Sequence, residues 1–339
     1  MTGKIVTFGE LLLRFSKPAH LRLTQGRDIL GNYGGSEANV AVSLATLGDK
    51  VEYITRLPDN HMGQAACMAL RGYQVDVDHV LLGGDRIGTY YFEEAAGMRS
   101  PKVIYDRDNS AFFHLKPGMI DWRSILADAD VFHTSGIAAS ISKDSADAAF
   151  EALDIANEMG LTISFDINYR KNLWKYGAEP RQVLSRMLSY ADVVFADVIE
   201  YDWIMQHEEI PFKAVSADYE MNLDAYRRWF DEIHERWPRC RQWLMGMRNM
   251  ISSNHNTLTA LLWNEGDMLH TRIYDIPDIV DPVGVGDAFL AGLNHARFVE
   301  PDNPQFCLDY ALAAAALKNT IGGDFNLATD EEIRELMAT

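Results

Sequence analysis

The chain predicts an α/β sandwich, a mainly parallel sheet held between two layers of helices. Short β-rich runs alternate with segments of helical period, which is the order of repeated βαβ units. Several of those runs are almost wholly apolar, as strands are when helices cover both faces of their sheet. In chain order, the pattern gives a strand over 5–8, a helix over 36–47, a strand over 51–56 and a helix over 63–72. A strand at 131–133, a helix over 143–158, and strands at 161–165 and 193–196 follow. Further on, Tyr226, Trp229, Phe230, Ile233 and Trp237 recur at helical spacing and read as a packed helix face.

Two stretches, 11–30 and 87–114, break this order. They alternate, as in Thr89-Tyr90-Tyr91-Phe92-Glu93 and Lys102-Val103-Ile104-Tyr105, and carry no helical period. A small separate sheet is expected there, either a lid that keeps water from a reacting group or a pair of plain edge hairpins. The organisation is thus a main domain over 1–10, 31–86 and 115–339 with a β-sheet lid over 11–30 and 87–114. Exposed lid strands favour edge pairing between subunits, so a homo-oligomer is expected. Residues 207–222 are polar and without period, and read as a loop or insertion.

The 339 residues, 47% hydrophobic, suffice for a sizeable core. A formal charge of −18, from 31 Lys+Arg against 49 Asp+Glu, argues against nucleic acid or an anionic membrane as partner. Cys67, Cys240 and Cys307 are far apart and odd in number, which leaves no disulfide framework or CxxC site. The N-terminal segment runs straight into a strand without a basic apolar leader, and no apolar run approaches the roughly 18 residues that span a bilayer. A cytoplasmic protein is expected.

Asp281-Pro282-Val283-Gly284-Val285-Gly286-Asp287, followed by Ala288-Phe289-Leu290-Ala291-Gly292, is the segment richest in chemistry. Two glycines let the backbone turn with its N–H groups exposed, and the next helix adds its own unpaired N–H groups and positive dipole end. An anion should dock there, with the Asp287 carboxylate facing it. That pairing suits phosphoryl transfer, although an ordinary glycine-rich turn with a capping Asp fits the spacing equally well. Earlier, Gly34-Gly35-Ser36-Glu37-Ala38-Asn39 opens the 36–47 helix. Backbone N–H groups and one amide at this point could meet the hydroxyls of a polyol.

The two elements together, in this order, resemble the ribokinase-like, or PfkB, family of carbohydrate kinases, and the resemblance covers almost the whole chain. The segments Gly9-Glu10-Leu11-Leu12-Leu13-Arg14, Tyr105-Asp106-Arg107-Asp108-Asn109-Ser110-Ala111, Phe132-His133-Thr134-Ser135-Gly136-Ile137 and Phe165-Asp166-Ile167-Asn168-Tyr169-Arg170 are similar to those of members that phosphorylate 2-keto-3-deoxygluconate. The resemblance implies a three-layer α/β/α sandwich with a small β-sheet lid. It also implies transfer of the ATP γ-phosphoryl group to the 6-hydroxyl of that sugar acid, with Mg²⁺ bridging the nucleotide phosphates. On the same ground Asp287 would be the base, and Gly284, Val285 and Gly286 the anion hole. Gly34, Gly35 and Asn39 would hold sugar hydroxyls, Tyr90 and Tyr105 would close over the sugar, and Arg107 and Arg170 would bind its carboxylate. Guanidinium forks match carboxylates bidentately, and a neutral sugar would not need them.

From the residues alone the two tyrosines could equally be strand aromatics and the two arginines surface ion-pair partners. For Asp166 and Asn168, helix capping competes with a polar role near the phosphates. The family's Asn-x-x-Glu element, linked to magnesium through water, reads Asp197-Val198-Ile199-Glu200 here, and Arg248 is the nearest basic residue to a nucleotide-side glycine segment that is missing. Pro282 and Val285 stand where Thr and Ala are usual; Pro282 lacks an N–H, but the anion hole uses backbone groups. A kinase of a neutral sugar or nucleoside, or a catalytically silent sugar binder on the same scaffold, are the alternatives. No resident metal is expected: the ten histidines show no paired ligand spacing, and HExxH, GxSxG, Walker and Rossmann glycine patterns are all absent.

Overall fold

In the computed structural model, which describes residues 3–206 and 222–339, Lys50–Ile54, Lys4–Phe8, Val131–Ser135, Thr162–Asp166, Val193–Asp197 and Gln242–Ser252 lie side by side and parallel. His255–Asn264 continues the sheet antiparallel, followed by Asp267–His270, and Tyr274–Ile276 pairs with His255–Asn264 as well. Successive residues of the central strands feed opposite faces. Val6, Phe132, Val194 and Met245 pack into one apolar core, and their neighbours Ile5, Val131, Val193 and Leu244 into the other. With both sets buried, the strands need apolar residues at every position, which explains their unbroken runs.

The helices cover both faces. Lys143–Glu158 starts at Ser142, whose hydroxyl accepts from the Ser145 N–H at 3.0 Å while the Ser142 N–H donates back to Ser145 at 3.0 Å. Val285–Val299 lies between Ser36–Thr46 and Pro304–Lys318, and Ala and Leu recur among the buried residues of all three. The aromatic stripe of the sequence lies on Leu223–Arg236, with Tyr226, Trp229, Phe230 and Ile233 buried and Trp237 just past its end. Residues 207–221 of the polar insertion lie outside the described residues; Asn222 caps the Leu223–Arg236 helix through the Ala225 N–H at 3.1 Å.

A second sheet has the order Leu30–Gly34, Leu12–Ser16, Gly88–Glu93, Lys102–Asp106. Its inner face buries Leu12, Tyr90 and Phe92 against Tyr105 and Val283, so it is seated over the start of the Asp281–Asp287 run. Arg14, on the same sheet, reaches deeper still. Among the described residues no helix is long and apolar enough to cross a membrane. Cys67, Cys240 and Cys307 are free and buried.

Candidate active site

The Val285–Val299 helix begins at Gly284, whose φ of +83° lies in the left-handed region. A Cβ at Gly284 would also stand 2.2 Å from the Asp324 carbonyl oxygen, so two separate constraints demand glycine. The first helical hydrogen bond runs from the Ala288 N–H to the Gly284 carbonyl at 2.9 Å. The N–H groups of Val285, Gly286 and Asp287 therefore have no carbonyl ahead of them in the helix and are open to an anion. All three residues, with Gly284, line a cavity of about 810 Å³.

Asp287 is oriented from the facing helix. Ser36 Oγ donates to Asp287 Oδ1 at 2.8 Å and Asn39 Nδ2 donates to Oδ2 at 2.7 Å. Burial raises the Asp287 carboxyl above the ordinary range for Asp, while the two donors, Arg170 and Lys318 pull it back. Ser36 is steadied in turn by Asn168 Nδ2 at 2.9 Å, and Asn168 also donates to both oxygens of Asp166 at 3.1 Å. Asn168 takes a φ of +41°, an unusual backbone for a non-glycine residue that brings its amide back onto this chain of hydrogen bonds. Burial raises the Asp166 carboxyl well above the Asp range, with the neighbouring Glu200 and Asp287 adding to it.

All the residues expected from the sequence line this one cavity except Gly34. Gly34 sits behind it, at the end of the Leu30–Gly34 strand, where a Cβ would be 2.0 Å from Asp324 Oδ2; its missing side chain admits that carboxylate. Asn39 faces the cavity; one N–H of its amide is given to Asp287, and its buried Oδ1 has no partner among the described residues. A free acceptor is therefore among what it can offer a sugar hydroxyl. Tyr90 is buried and donates its hydroxyl to Asp324, so its ring rather than its oxygen is presented; Tyr105, half-buried, lines the cavity beside it.

Arg107 is buried with Nε donating to Glu10 Oε2 at 2.7 Å, which fixes the plane of its guanidinium. Arg170 is half-exposed. Its Nη1 donates to Glu200 Oε1 at 3.3 Å and to the Tyr169 carbonyl at 3.1 Å. Asp197 and Glu200 form a reciprocal cap at the start of the Val198–Met205 helix, Asp197 Oδ1 accepting from the Glu200 N–H at 2.8 Å and Glu200 Oε2 from the Asp197 N–H at 3.2 Å. The Tyr169 N–H donates to Glu200 as well, at 2.7 Å. Burial and the adjacent Asp197 push the Glu200 carboxyl up to about 7. The exposed Arg248 lines the same end of the cavity, where Ile199, Met247, Leu258, Leu312 and Ala315 supply an apolar wall. Among the described residues no group of three or more His, Cys, Asp or Glu could hold a metal ion.

Behind the glycine turn lies a buried ionic network that the sequence reading did not reach. Arg14, 1% exposed, donates through Nη2 to Asp281 Oδ2 at 2.8 Å and through Nη1 to Asp324 Oδ1 at 3.0 Å, and lies 4.6 Å over the Phe92 ring. Asp281 also accepts from the N–H groups of Val283 at 3.0 Å and Gly323 at 3.1 Å. The turn is thereby tied to the second sheet and to the 319–324 loop. Burial lifts the Asp324 carboxyl to about 6 despite Arg14 beside it.

Fold and cavity together define a carbohydrate kinase, a phosphotransferase acting on an alcohol group. The profile of the pfkB family carbohydrate kinases matches residues 2–235, and the chain belongs to that family. It is 29% identical to a 2-dehydro-3-deoxygalactonokinase of Haloferax volcanii over 99% of this chain and 97% of that one. It is 26% identical to a 2-dehydro-3-deoxygluconokinase of Thermoproteus tenax, over 98% and 94%. Among solved structures, the 2-dehydro-3-deoxygluconokinase of Thermotoga maritima superposes with a TM-score of 0.91 at 35% identity, over 100% of this chain and 99% of that one. The ribokinase-like sandwich expected from the sequence is the fold.

Proposed function

We propose that the protein transfers the γ-phosphoryl group of ATP to the 6-hydroxyl of a 2-keto-3-deoxy sugar acid, with 2-keto-3-deoxygluconate as leading acceptor. One observation carries this reading. The Asp287 carboxylate is held by Ser36 and Asn39 next to three helix N–H groups without acceptors, in a cavity that also contains two guanidinium groups, those of Arg107 and Arg170. Asp287 takes the proton of the attacking hydroxyl, and the N–H groups of Val285, Gly286 and Asp287 itself steady the charge on the moving phosphoryl group. The apolar wall from Ile199 to Ala315 receives the adenine ring. Asn39 Oδ1 and Asn168 Oδ1, both buried and without partners among the described residues, are acceptors for sugar hydroxyls.

Mg²⁺ fits this site as a companion of the nucleotide rather than as a resident ion, because Asp197 and Glu200 are occupied as a helix cap and no protein cage is formed among the described residues. Asp197 and Glu200, which line the cavity, would hold it, and it would supply positive charge against the nucleotide phosphates. A coupled assay of ADP formation with 2-keto-3-deoxygluconate, 2-keto-3-deoxygalactonate, gluconate, fructose and ribose tests the reading. Turnover confined to fructose or ribose would refute it.

Arg170 provides a sharper test of the acid. Arg170→Leu should raise KM for the keto-deoxy acid by about 10- to 100-fold, as expected when one partner of a charge pair is truncated, and leave KM for any neutral sugar that is turned over nearly unchanged. An equal loss on both would mean that Arg170 serves the Glu200 contact alone.

A further inference from the structure

The Pro304–Lys318 helix ends in a buried lysine, Lys318, 0% exposed, that makes no direct salt bridge among the described residues. Its ammonium donates instead to two main-chain oxygens, the carbonyl of Asp281 at 3.2 Å and that of Ile321 at 2.8 Å. Asp281 opens the glycine turn, and Ile321 belongs to the loop on which the turn rests, as the Asp324 carbonyl against Gly284 shows. Lys318 Cε comes within 3.4 Å of where a Gly284 Cβ would stand, so the charge lies directly behind the helix end that faces the cavity. A neutral side chain would fill this space without the cost of burying a cation. Its position at the negative end of its own helix offsets part of that cost.

We propose that Lys318 is a positioning residue for phosphoryl transfer: its ammonium ties the carbonyl of Asp281 to that of Ile321 and holds the N–H groups of Val285 and Gly286 in aim, with a positive charge behind them. The inference rests on the kinase reading above. It assigns the turn a support that acts as phosphoryl charge moves onto those N–H groups and not when sugar or nucleotide is merely held. The groups facing Lys318 are Asp281, Asp324, Arg14 and Asp287; those facing Asp287 are Ser36, Asn39, Arg170 and Lys318.

Wild-type ADP formation on the keto-deoxy acid is measured first, and its absence on every sugar refutes the kinase reading before any variant is made. Lys318→Met, similar in length but uncharged, should then lower kcat by about 30-fold or more, with both KM values within about threefold of wild type. The acid limb of its kcat profile should move to higher pH, because Asp287 loses a cation that favours its ionised form. Should that variant fail to fold, Lys318→Gln decides, since its amide can still donate to a carbonyl without carrying charge. A folded variant with kcat within about threefold of wild type overturns the proposal. So does a fall in sugar-acid affinity, measured by calorimetry, as large as the fall in kcat, which would mark a general loosening of the site.

Discussion

Asp287→Asn is expected to bind sugar acid and ATP nearly as the native protein does and to turn over at least about 100-fold more slowly, the usual worth of a positioned general base. The shape of the side chain is kept. An asparagine can set its oxygen toward Asn39 Nδ2 and its amide toward Ser36, whose oxygen has room for a second donor beside Asn168. What is lost is the basicity alone. Stability should hold or rise at neutral pH: burial has lifted the Asp287 carboxyl above its unfolded value, so its ionised form weakens the fold as pH climbs through that interval, and a neutral amide carries no such penalty. The pH profile separates this from a binding defect. Native kcat should fall as pH drops through the raised pKa of Asp287, whereas the residual rate of the variant should lack that limb. Native-like turnover by the variant would remove Asp287 from the reaction.

How much of this was legible in the sequence depends on the range of the interaction that fixed each part. The alternation of apolar strands and helical periods gave the core because both sheet faces are buried, a local property of composition; the Lys143–Glu158 helix has the bounds its pattern implies. The hairpin His255–Asn264 to Asp267–His270 escaped because it turns at Glu265 and Gly266 with φ of +50° and +101°, and Glu is not the residue that announces such a turn. The antiparallel edge of the sheet was missed with it. The cavity residues were readable where they fall in glycine-marked runs. Ser36 stood inside one of those runs, yet its contact with Asp287 spans 251 positions and has no local sign. The same holds for Arg14, quoted only for the likeness of its segment, and for Asp324 and Lys318. A buried charge is recognisable by its partners, and those partners are set by the fold. The contacts of Asn39 and Tyr90 likewise could not be divided between sugar and protein before Asp287 and Asp324 were placed beside them.

Arg14→Leu should show what that hidden network contributes. Arg14 is the cation between two buried carboxylates, and it joins the second sheet to the loop under the glycine turn. Among the described residues its removal leaves Asp281 the N–H groups of Val283 and Gly323, and Asp324 the Tyr90 hydroxyl, as direct donors, with the buried Lys318 the cation that still faces both. Breaking one side of a buried charge arrangement costs about 3–5 kcal/mol, since the abandoned charges stay desolvated, and a leucine restores the apolar contact with Phe92 but none of the field. The loss should depend on pH in a definite direction. Asp324 already stands near 6 in the folded protein, above its unfolded value, so its ionisation weakens the fold as pH rises through that interval. Without Arg14 that folded value climbs further, and the penalty grows to higher pH. Urea unfolding of native and variant protein should therefore differ most at about pH 7.5 and converge toward about pH 5, where the Asp324 carboxyl can be buried with its proton. A deficit of the same size at both pH values would mean that Arg14 stabilises the fold through packing on Phe92, and that the two aspartates do not need its charge.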